Sequence, residues 1–237
     1  MKSGNPISKF SLAFEKIANV GRILYDKGLI VASEGNISLR LESGNIMITP
    51  SGKNKGFLIF EDMVTIDLAG IQVSGKQKPS SEFRMHLFAY NNRDDISACI
   101  HAHPPFTTAL SVAGISDNNA ILPETVISAG RIPVTQYATP GTDELTLSIS
   151  PFIEECDAII IKNHGLVCFG KDLDSALNLL EIVEHNSKIL YLSRQLGNID
   201  YLSESEVEKL LTIKESKKPA AGSGISGKTK GGKNNND

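Results

Sequence analysis

The first part of the chain switches between two hydrophobic patterns, one with helical and one with strand spacing. Apolar residues recur at helical spacing over residues 8–27, and Gly28 follows as a C-cap, which predicts a first helix. Short apolar runs broken by Ser, Gly, Asn or Ala predict two β-hairpins, at residues 37–49 and 64–74. A Pro-Ser-Ser-Glu stretch predicts another helix over residues 79–92, with a serine as N-cap and a carboxylate in its first turn.

The rest of the chain alternates between predicted strands and predicted helices. Short apolar runs bounded by proline, glycine or polar residues predict the strands, and longer amphipathic stretches predict the helices. A three-layer α/β or α+β sandwich with mixed strand pairing fits this order best. The predicted strands are residues 97–103, 132–137, 158–162 and 165–169, and the predicted helices are residues 104–113, 142–155, 173–196 and 203–213.

The chain is long enough for one compact domain with a sizeable core. It has 237 residues, of which 41% are hydrophobic, an ordinary value for a globular protein. From residue 214 onward the chain is mostly Gly, Ser, Lys and Asn, with almost nothing apolar to bury. We therefore predict a single domain at residues 1–213 and a disordered Gly/Lys/Asn-rich tail at residues 214–237.

Charge and cysteine content narrow the class of protein. The net charge is -3 and the pI is about 6.0, so no positive field attracts nucleic acid or an anionic membrane. No apolar run approaches the roughly 18 residues of a membrane-spanning helix, and the first residues lack the apolar region of a signal peptide. The three cysteines lie in mostly apolar surroundings, which predicts buried free thiols. We expect a cytoplasmic protein without nucleic-acid or membrane partners.

Three histidines are the strongest chemical signal in the sequence. His101 and His103 end a predicted strand, where side chains two positions apart point to the same face. His164 lies far along the chain and would complete the cluster in the folded protein. Three nitrogen ligands with a fourth position open are typical of catalytic zinc, because a substrate oxygen can take the open position. The alternative is a surface strand with two solvated histidines and an unrelated third one.

Short polar segments with the character of anion-binding turns occur at three points. Backbone N–H groups in turns and at a helix start, together with hydroxyl and amide side chains, can hold a phosphate. Each segment alone is also compatible with a plain turn or cap. The segments are Gly35-Asn36, the turn from Thr49 through Ser51 to Gly52, and Ser80-Ser81.

Glu82 directly follows the last of these segments. A carboxylate between a phosphate site and a metal site could move protons while the metal takes developing negative charge. The alternative is an acid that compensates a helix dipole from the first turn. His86 and His185 are interpreted as packing or surface histidines rather than ligands.

Six ordered motifs resemble the class II aldolase and adducin family over about residues 10–196. The resemblance implies an α/β/α sandwich with a mixed, largely antiparallel central sheet, assembled as a cyclic homotetramer with each active site at a subunit interface. It also implies a zinc-dependent lyase of the L-fuculose-phosphate aldolase type. The motifs are SEGNIS at 33–38, ITPSG at 48–52, KPSSE at 78–82, IHAH at 100–103, YATPGT at 137–142 and KNHGL at 162–166.

The family resemblance assigns a role to each matching residue. It implies one zinc ion per chain bound by His101, His103 and His164, with Glu82 as the acid/base. The expected reaction is retro-aldol cleavage of a ketose 1-phosphate, a small sugar phosphate, to dihydroxyacetone phosphate and an aldehyde, without a lysine Schiff base. The expected phosphate-binding residues are Asn36, Ser51, Gly52, Ser80 and Ser81.

One departure from the family pattern leaves the substrate open. Fuculose-phosphate aldolases carry a tyrosine in the segment that here reads Leu-Pro-Glu-Thr at residues 122–125, where Glu124 is a candidate substitute. Methylthioribulose-phosphate dehydratases share the fold, the histidines and the glutamate and are the second candidate. Ribulose-phosphate 4-epimerases, which have aspartate at the position of Glu82, are the third. An adducin-like scaffold comes last, because such domains lack the metal histidines.

Overall fold

The structure is a computed structural model that describes residues 6–115 and 120–216. Two short 3₁₀ turns, at Lys55–Phe57 and Phe60–Asp62, connect the second and third strands. The helices are α1 Pro6–Asp26, α2 Phe83–Asn92, α3 Pro105–Val112, α4 Pro123–Ser128, α5 Asp143–Ile149, α6 Leu173–Leu196 and α7 Glu204–Ser216. The strands are β1 Asn36–Arg40, β2 Ile46–Ile48, β3 Val64–Ile66, β4 Gln72–Ser74, β5 Ala98–Ala102, β6 Ala158–Ile161 and β7 Gly165–Gly170.

The seven strands form one sheet in the order β4-β3-β2-β1-β5-β7-β6. Every strand pair in it is antiparallel, including the two predicted hairpins β1–β2 and β3–β4. A parallel contact occurs where Val134 forms an isolated bridge with Ile160. The predicted mixed, largely antiparallel sheet is therefore confirmed.

Helices cover both faces of the sheet, because the strands bury alternate side chains on opposite sides. In β5, Ile100 and Ala102 pack in a core cluster with α1 and α6, whereas Cys99 packs in a second cluster with α2 and α5. This alternation is what a strand with both faces buried requires. The three-layer α/β/α sandwich is confirmed, and β5 is an inner strand of its sheet, between β1 and β7. None of the helices in the described ranges has the length and apolar character needed to span a membrane.

Two predicted elements in the second half are wrong in extent. Residues 132–137 do not form a strand and make only the bridge at Val134, because Pro133 has no N–H to donate to a ladder. The predicted helix at 142–155 ends at Ile149, since Pro151 has no N–H to donate to the carbonyl oxygen of Leu147 four residues before it. The short helix α4 was not predicted.

The end of the predicted domain also differs. Helix α7 continues to Ser216, so the predicted boundary at residue 214 falls inside it. Lys214 donates a hydrogen bond from Nζ to the carbonyl oxygen of Ala129 at 2.6 Å. Residues 217–237 lie outside the described residues, and their disorder stays a prediction. They include GSGISGKT at 222–229, a match to GxxxxGK[ST], although that pattern indicates phosphate binding only between a strand and a helix.

A carboxylate from α6 holds the start of α3, directly after the His-x-His strand. Glu184 accepts hydrogen bonds from the backbone N–H groups of Phe106 and Thr107, each at 2.9 Å. The Thr107 hydroxyl donates to the same carboxylate at 2.8 Å. Because Pro104 at the N-cap offers no side-chain acceptor, this distant acid satisfies the N–H groups that a helix start leaves unpaired. It fixes where the chain leaves β5.

Candidate active site

The three histidines predicted as metal ligands come together at one end of the sheet. His101 is in β5, His103 follows the last residue of that strand, and His164 is in the turn between β6 and β7. Their ring centroids lie 4.7 to 4.9 Å apart. One ring nitrogen of each lies within 4.8 Å of the others. The interpretation of an unrelated His164 is excluded by this geometry.

Close packing of β7 on β5 brings His164 to the other two. A Cβ atom on Gly165 would lie 2.4 Å from the carbonyl oxygen of Ala102 and 2.8 Å from the His103 ring, so only glycine fits there. The preceding Asn163 has φ of 58°, a left-handed conformation that asparagine tolerates better than most residues. The sequence Asn-His-Gly therefore makes a turn that projects the histidine toward the strand next to it.

The outer nitrogens of His101 and His103 are held by acceptors. Nδ1 of His101 donates to the carbonyl oxygen of Leu166 at 3.0 Å, and Nδ1 of His103 donates to the carboxylate of Glu34 at 3.0 Å. A neutral imidazole carries a single N–H, so Nε2 of each ring presents a lone pair. Such outer partners orient metal-bound histidines in many proteins. The sequence analysis did not identify Glu34 as an orienting residue.

The donor set fits a divalent metal ion. The two Nε2 atoms of His101 and His103 face one another at 3.1 Å, and two lone pairs at that distance repel unless a cation lies between them. Nitrogens bound to one tetrahedral zinc at about 2.0–2.1 Å would be about 3.3 Å apart. Burial lowers the pKa of His101 well below its usual value, and the neighbouring His103 and His164 lower it further, so the ring is a neutral acceptor.

Glu82 lies beside this cluster, as predicted. Its carboxylate oxygens are each 3.4 Å from a ring nitrogen, Oε2 from His101 and Oε1 from His164. The side chain is buried, and Oε2 also accepts a hydrogen bond from Nδ2 of Asn36 at 2.7 Å. A carboxylate in this position can exchange a proton with a molecule bound at the open side of the cluster.

The predicted start of α2 is wrong, and the correction bears on Glu82. The helix begins at Phe83, and Glu82 occupies the N-cap position without a side-chain cap hydrogen bond. The hydroxyl of Ser80 accepts the N–H of Glu82 at 3.3 Å, as a capping serine does, but residues 81–82 form a turn and not the first turn of the helix. The Glu82 carboxylate therefore faces the histidines rather than the helix N–H groups. The helix-dipole interpretation of this acid does not fit the structure.

The predicted anion-binding segments lie next to one another. Ser51 donates its N–H to the carbonyl oxygen of Lys78 at 3.0 Å, and the 49–51 and 78–80 segments pair in this way. These backbone N–H groups are thus used within the protein, contrary to the expectation that they point outward unpaired. A Cβ on Gly141 would lie 3.7 Å from Cβ of Ser81, which places the YATPGT motif beside it. The hydroxyls of Ser51 and Ser81 are on exposed residues.

The surroundings of Asn36 and Glu124, two further residues with predicted roles, differ from those expected. Asn36, expected to bind phosphate, is only 3% exposed, and one of its amide N–H bonds points to Glu82. Glu124 is on α4 and lines a cavity of about 1020 Å³ together with residues of α3 and α6. Within the described residues, none of the three histidines lines that cavity. In a single chain Glu124 does not join the histidine cluster.

Lys55 is a charged residue of this region that sequence reasoning missed. It is buried, and its Nζ donates to the carbonyl oxygen of Ser33 at 2.5 Å. Burial lowers its pKa to about 8, while the nearby carboxylates of Glu82 and Glu34 act in the opposite direction. No sequence signal distinguished it from Lys53, which is exposed and pairs with an aspartate.

The chain is similar to known proteins over most of its length. The Class II Aldolase and Adducin N-terminal domain profile matches residues 15–191. L-fuculose phosphate aldolase of Methanococcus maripaludis is 39% identical over 176 residues, covering 74% of this chain and 94% of that protein. 3-oxo-tetronate 4-phosphate decarboxylase of Haemophilus influenzae is 34% identical over 200 residues, covering 83% and 94%. A solved L-fuculose 1-phosphate aldolase superposes with a TM-score of 0.80 at 32% identity, covering 85% and 95%. The chain belongs to the class II aldolase and adducin family.

Proposed function

We propose that this protein is a zinc-dependent aldolase that cleaves a ketose 1-phosphate similar to L-fuculose 1-phosphate into dihydroxyacetone phosphate and an aldehyde. The observation that carries the proposal is the convergence of three ring nitrogens beside a buried carboxylate. Family membership and the similarity to L-fuculose phosphate aldolases support it. The activity class is that of a carbon–carbon lyase.

The metal is proposed to be one zinc ion per chain, held by His101, His103 and His164. Histidine nitrogens suit zinc, and three of them leave a fourth position open. A zinc ion bound there would act as a Lewis acid on substrate oxygens and stabilise the negative charge of an enediolate. The 3.1 Å approach of two acceptor nitrogens supports this choice of donor set.

Side chains of the protein carry out the proton transfer and bind the substrate. Glu82 takes a proton from the substrate and returns it, because it is the buried carboxylate next to the open side of the cluster. Asn36 holds one oxygen of that carboxylate, and its second amide N–H stays available for the substrate. The phosphate would contact the paired segments through Ser51, Gly52, Ser80 and Ser81.

Decarboxylation of a 3-oxo-tetronate 4-phosphate is the second candidate. Loss of CO₂ from such a β-keto acid leaves the enediolate of dihydroxyacetone phosphate, which is also the product of retro-aldol cleavage. Retro-aldol cleavage must in addition remove a proton from the hydroxyl at the aldehyde end, whereas decarboxylation does not. The absence of tyrosine from residues 122–125 therefore favours this alternative, as does the similarity to 3-oxo-tetronate 4-phosphate decarboxylases.

We propose that the assembly is a homotetramer in the cytoplasm, with the active site at a subunit interface. Large apolar side chains remain exposed beside the 3₁₀ turns, Phe57 at 68% and Ile59 at 57%, which supports a contact with another subunit. Cys99, Cys156 and Cys168 are all buried free thiols, which suits a reducing compartment.

A product assay tests the proposed function. The zinc-loaded protein is incubated with L-fuculose 1-phosphate, 3-oxo-tetronate 4-phosphate, methylthioribulose 1-phosphate and ribulose 5-phosphate. Dihydroxyacetone phosphate with an aldehyde identifies the aldolase, and dihydroxyacetone phosphate with CO₂ identifies the decarboxylase. Loss of water or epimerisation alone would identify the dehydratase or the epimerase instead. Turnover of none of the four would contradict the proposal.

A further inference from the structure

A buried chain of hydrogen bonds leads from Glu82 away from the histidine cluster. Asn36 contacts Glu82 at 2.7 Å and His86 at 2.5 Å. His86 contacts the hydroxyl of Ser38 at 2.6 Å, and that hydroxyl contacts the hydroxyl of Tyr90 at 2.8 Å. All five side chains are buried. This series of hydrogen bonds connects two elements. Residues 36 and 38 lie on β1, and residues 82, 86 and 90 lie at the N-cap and on one face of α2.

The direction of the bonds nearest Glu82 follows from what each group can donate. An ionised carboxylate only accepts, so the Asn36 atom that faces Glu82 is the amide nitrogen. The amide oxygen of Asn36 then faces Nε2 of His86, which must carry the ring hydrogen. The opposite amide orientation would place two oxygens against each other at 2.7 Å.

The outer bonds have a fixed direction for the same reason. A neutral His86 with its hydrogen on Nε2 has an acceptor at Nδ1, so the Ser38 hydroxyl donates to it. That leaves the Ser38 oxygen as an acceptor for the Tyr90 hydroxyl. Complete burial lowers the pKa of His86 to about 4 and raises the pKa of Tyr90 well above its usual value. The ring stays neutral and the phenol stays protonated at neutral pH.

We propose that His86 is a positioning residue, which holds the Asn36 amide in the one orientation that directs an N–H to the Glu82 carboxylate. The inference rests on the proposed function, in which Glu82 transfers the proton. Without a donor at the position of Nε2, the buried amide oxygen of Asn36 has no partner, so the side chain turns away to satisfy it and Glu82 loses the N–H that sets the place of Oε2. A half-satisfied buried polar network is unstable and rearranges. His86 thus acts on the reaction through Asn36 and does not touch the substrate.

Two substitutions of similar size separate this role from simple packing. His86→Gln keeps an amide N–H near the position of Nε2, whereas His86→Met fills similar space without a donor. His185→Met, at an exposed position on α6, controls for loss of a histidine as such. Each zinc-loaded variant is crystallised, and kcat and KM are measured on L-fuculose 1-phosphate or 3-oxo-tetronate 4-phosphate, whichever the unmodified protein converts.

We expect the carboxylate of Glu82 to shift by about 1 Å in His86→Met and kcat to fall roughly 10²-fold, because misplacement on this scale costs about that factor. KM should change less than kcat, since the substrate loses at most the one N–H that Asn36 offers it. His86→Gln should restore the position of Glu82 and most of kcat. An unmoved Glu82 in His86→Met, or equal losses of kcat in both variants, would overturn the proposal. If neither substrate is converted, the proposed function fails while the crystal structures still decide this inference.

Discussion

Each of the three histidines places one ring nitrogen in the same small volume. We expect His101→Ala, His103→Ala and His164→Ala each to lose bound zinc, because an ion with three imidazole ligands loses both a bond and its geometry when one is removed. Elemental analysis of the purified variants measures the ion per chain, with His185→Ala as the control. Full metal retention in one variant would remove that histidine from the site.

Replacement of Glu82 should lower turnover without removing the metal, unlike replacement of a histidine. We expect Glu82→Gln to keep the metal and the fold, because the carboxamide has nearly the same shape and can still accept from Asn36. Turnover should fall roughly 10²-fold or more, the usual effect of losing an acid/base group. Steady-state kinetics and elemental analysis on the same sample check both points. A kcat within a few-fold of the unmodified protein would mean that another group, with Glu124 as the first candidate, carries the proton.

Single-residue roles were predictable where the residue type alone indicates the chemistry. The proximity of the three histidines and Glu82 was predicted from strand spacing and from the position of the acid beside the polar turns, and the family resemblance supplied the roles proposed for them. His86, Lys55 and Glu34 were missed, because their roles come from neighbours that the fold brings from distant segments. His86, for example, meets Ser38 and Asn36 across a β1–α2 contact that no local pattern shows.

At the scale of elements, the contact between β5 and β7 brings together the three histidines of the proposed metal site. We expect Gly165→Ala to weaken zinc binding, because the added carbon would collide with the carbonyl oxygen of Ala102 and with the His103 ring. Overpacking of this kind costs about 1 to 3 kcal/mol or more. Gly44→Ala, in the β1–β2 turn, is strained by a φ of 85° rather than by a contact with the histidines; as the control it should unfold at lower temperature but keep its metal. Zinc titration and thermal unfolding of both variants measure the difference; equal zinc affinities would show that the strand contact does not position the ligands.

Element boundaries were less predictable than element types. The helices α1 and α6 followed from periodicity, because each buries an apolar face, and both hairpins followed from short apolar runs broken by turn residues. The start of α2 was wrong, since Ser80 accepts the N–H of Glu82 as a cap would, yet a turn at residues 81–82 precedes the helix, which begins at Phe83. The strand expected at 132–137 does not form because Pro133 interrupts it, and this proline is visible in the sequence.

For the whole molecule, we expect a chain ending at Ser216 to remain a folded homotetramer with unchanged kcat. The family motifs and the described elements end by that residue, and a Lys, Gly and Asn tail buries too little apolar area to offset its ordering entropy. A chain ending at Ile213 loses the bond from Lys214 to Ala129 and should unfold at lower temperature, since such a bond contributes about 1 kcal/mol. Mass in solution, thermal unfolding and kcat are compared for both chains. An intact tetramer with lowered kcat at the Ser216 end would show that the tail acts on the active site.

The bonds from Glu184 to the start of α3 tie the exit of β5, next to the three histidines, to helix α6. The chain leaves β5 through His103 and is held at Phe106 and Thr107 by a carboxylate from the middle of α6, a helix that packs against β5, β6 and β7. These two amide hydrogens exchange with solvent only when their bonds to the carboxylate break. Their exchange with deuterated water should therefore be slow in the unmodified protein and markedly faster in Glu184→Ala, and equal rates in both would show that the carboxylate does not hold the start of α3.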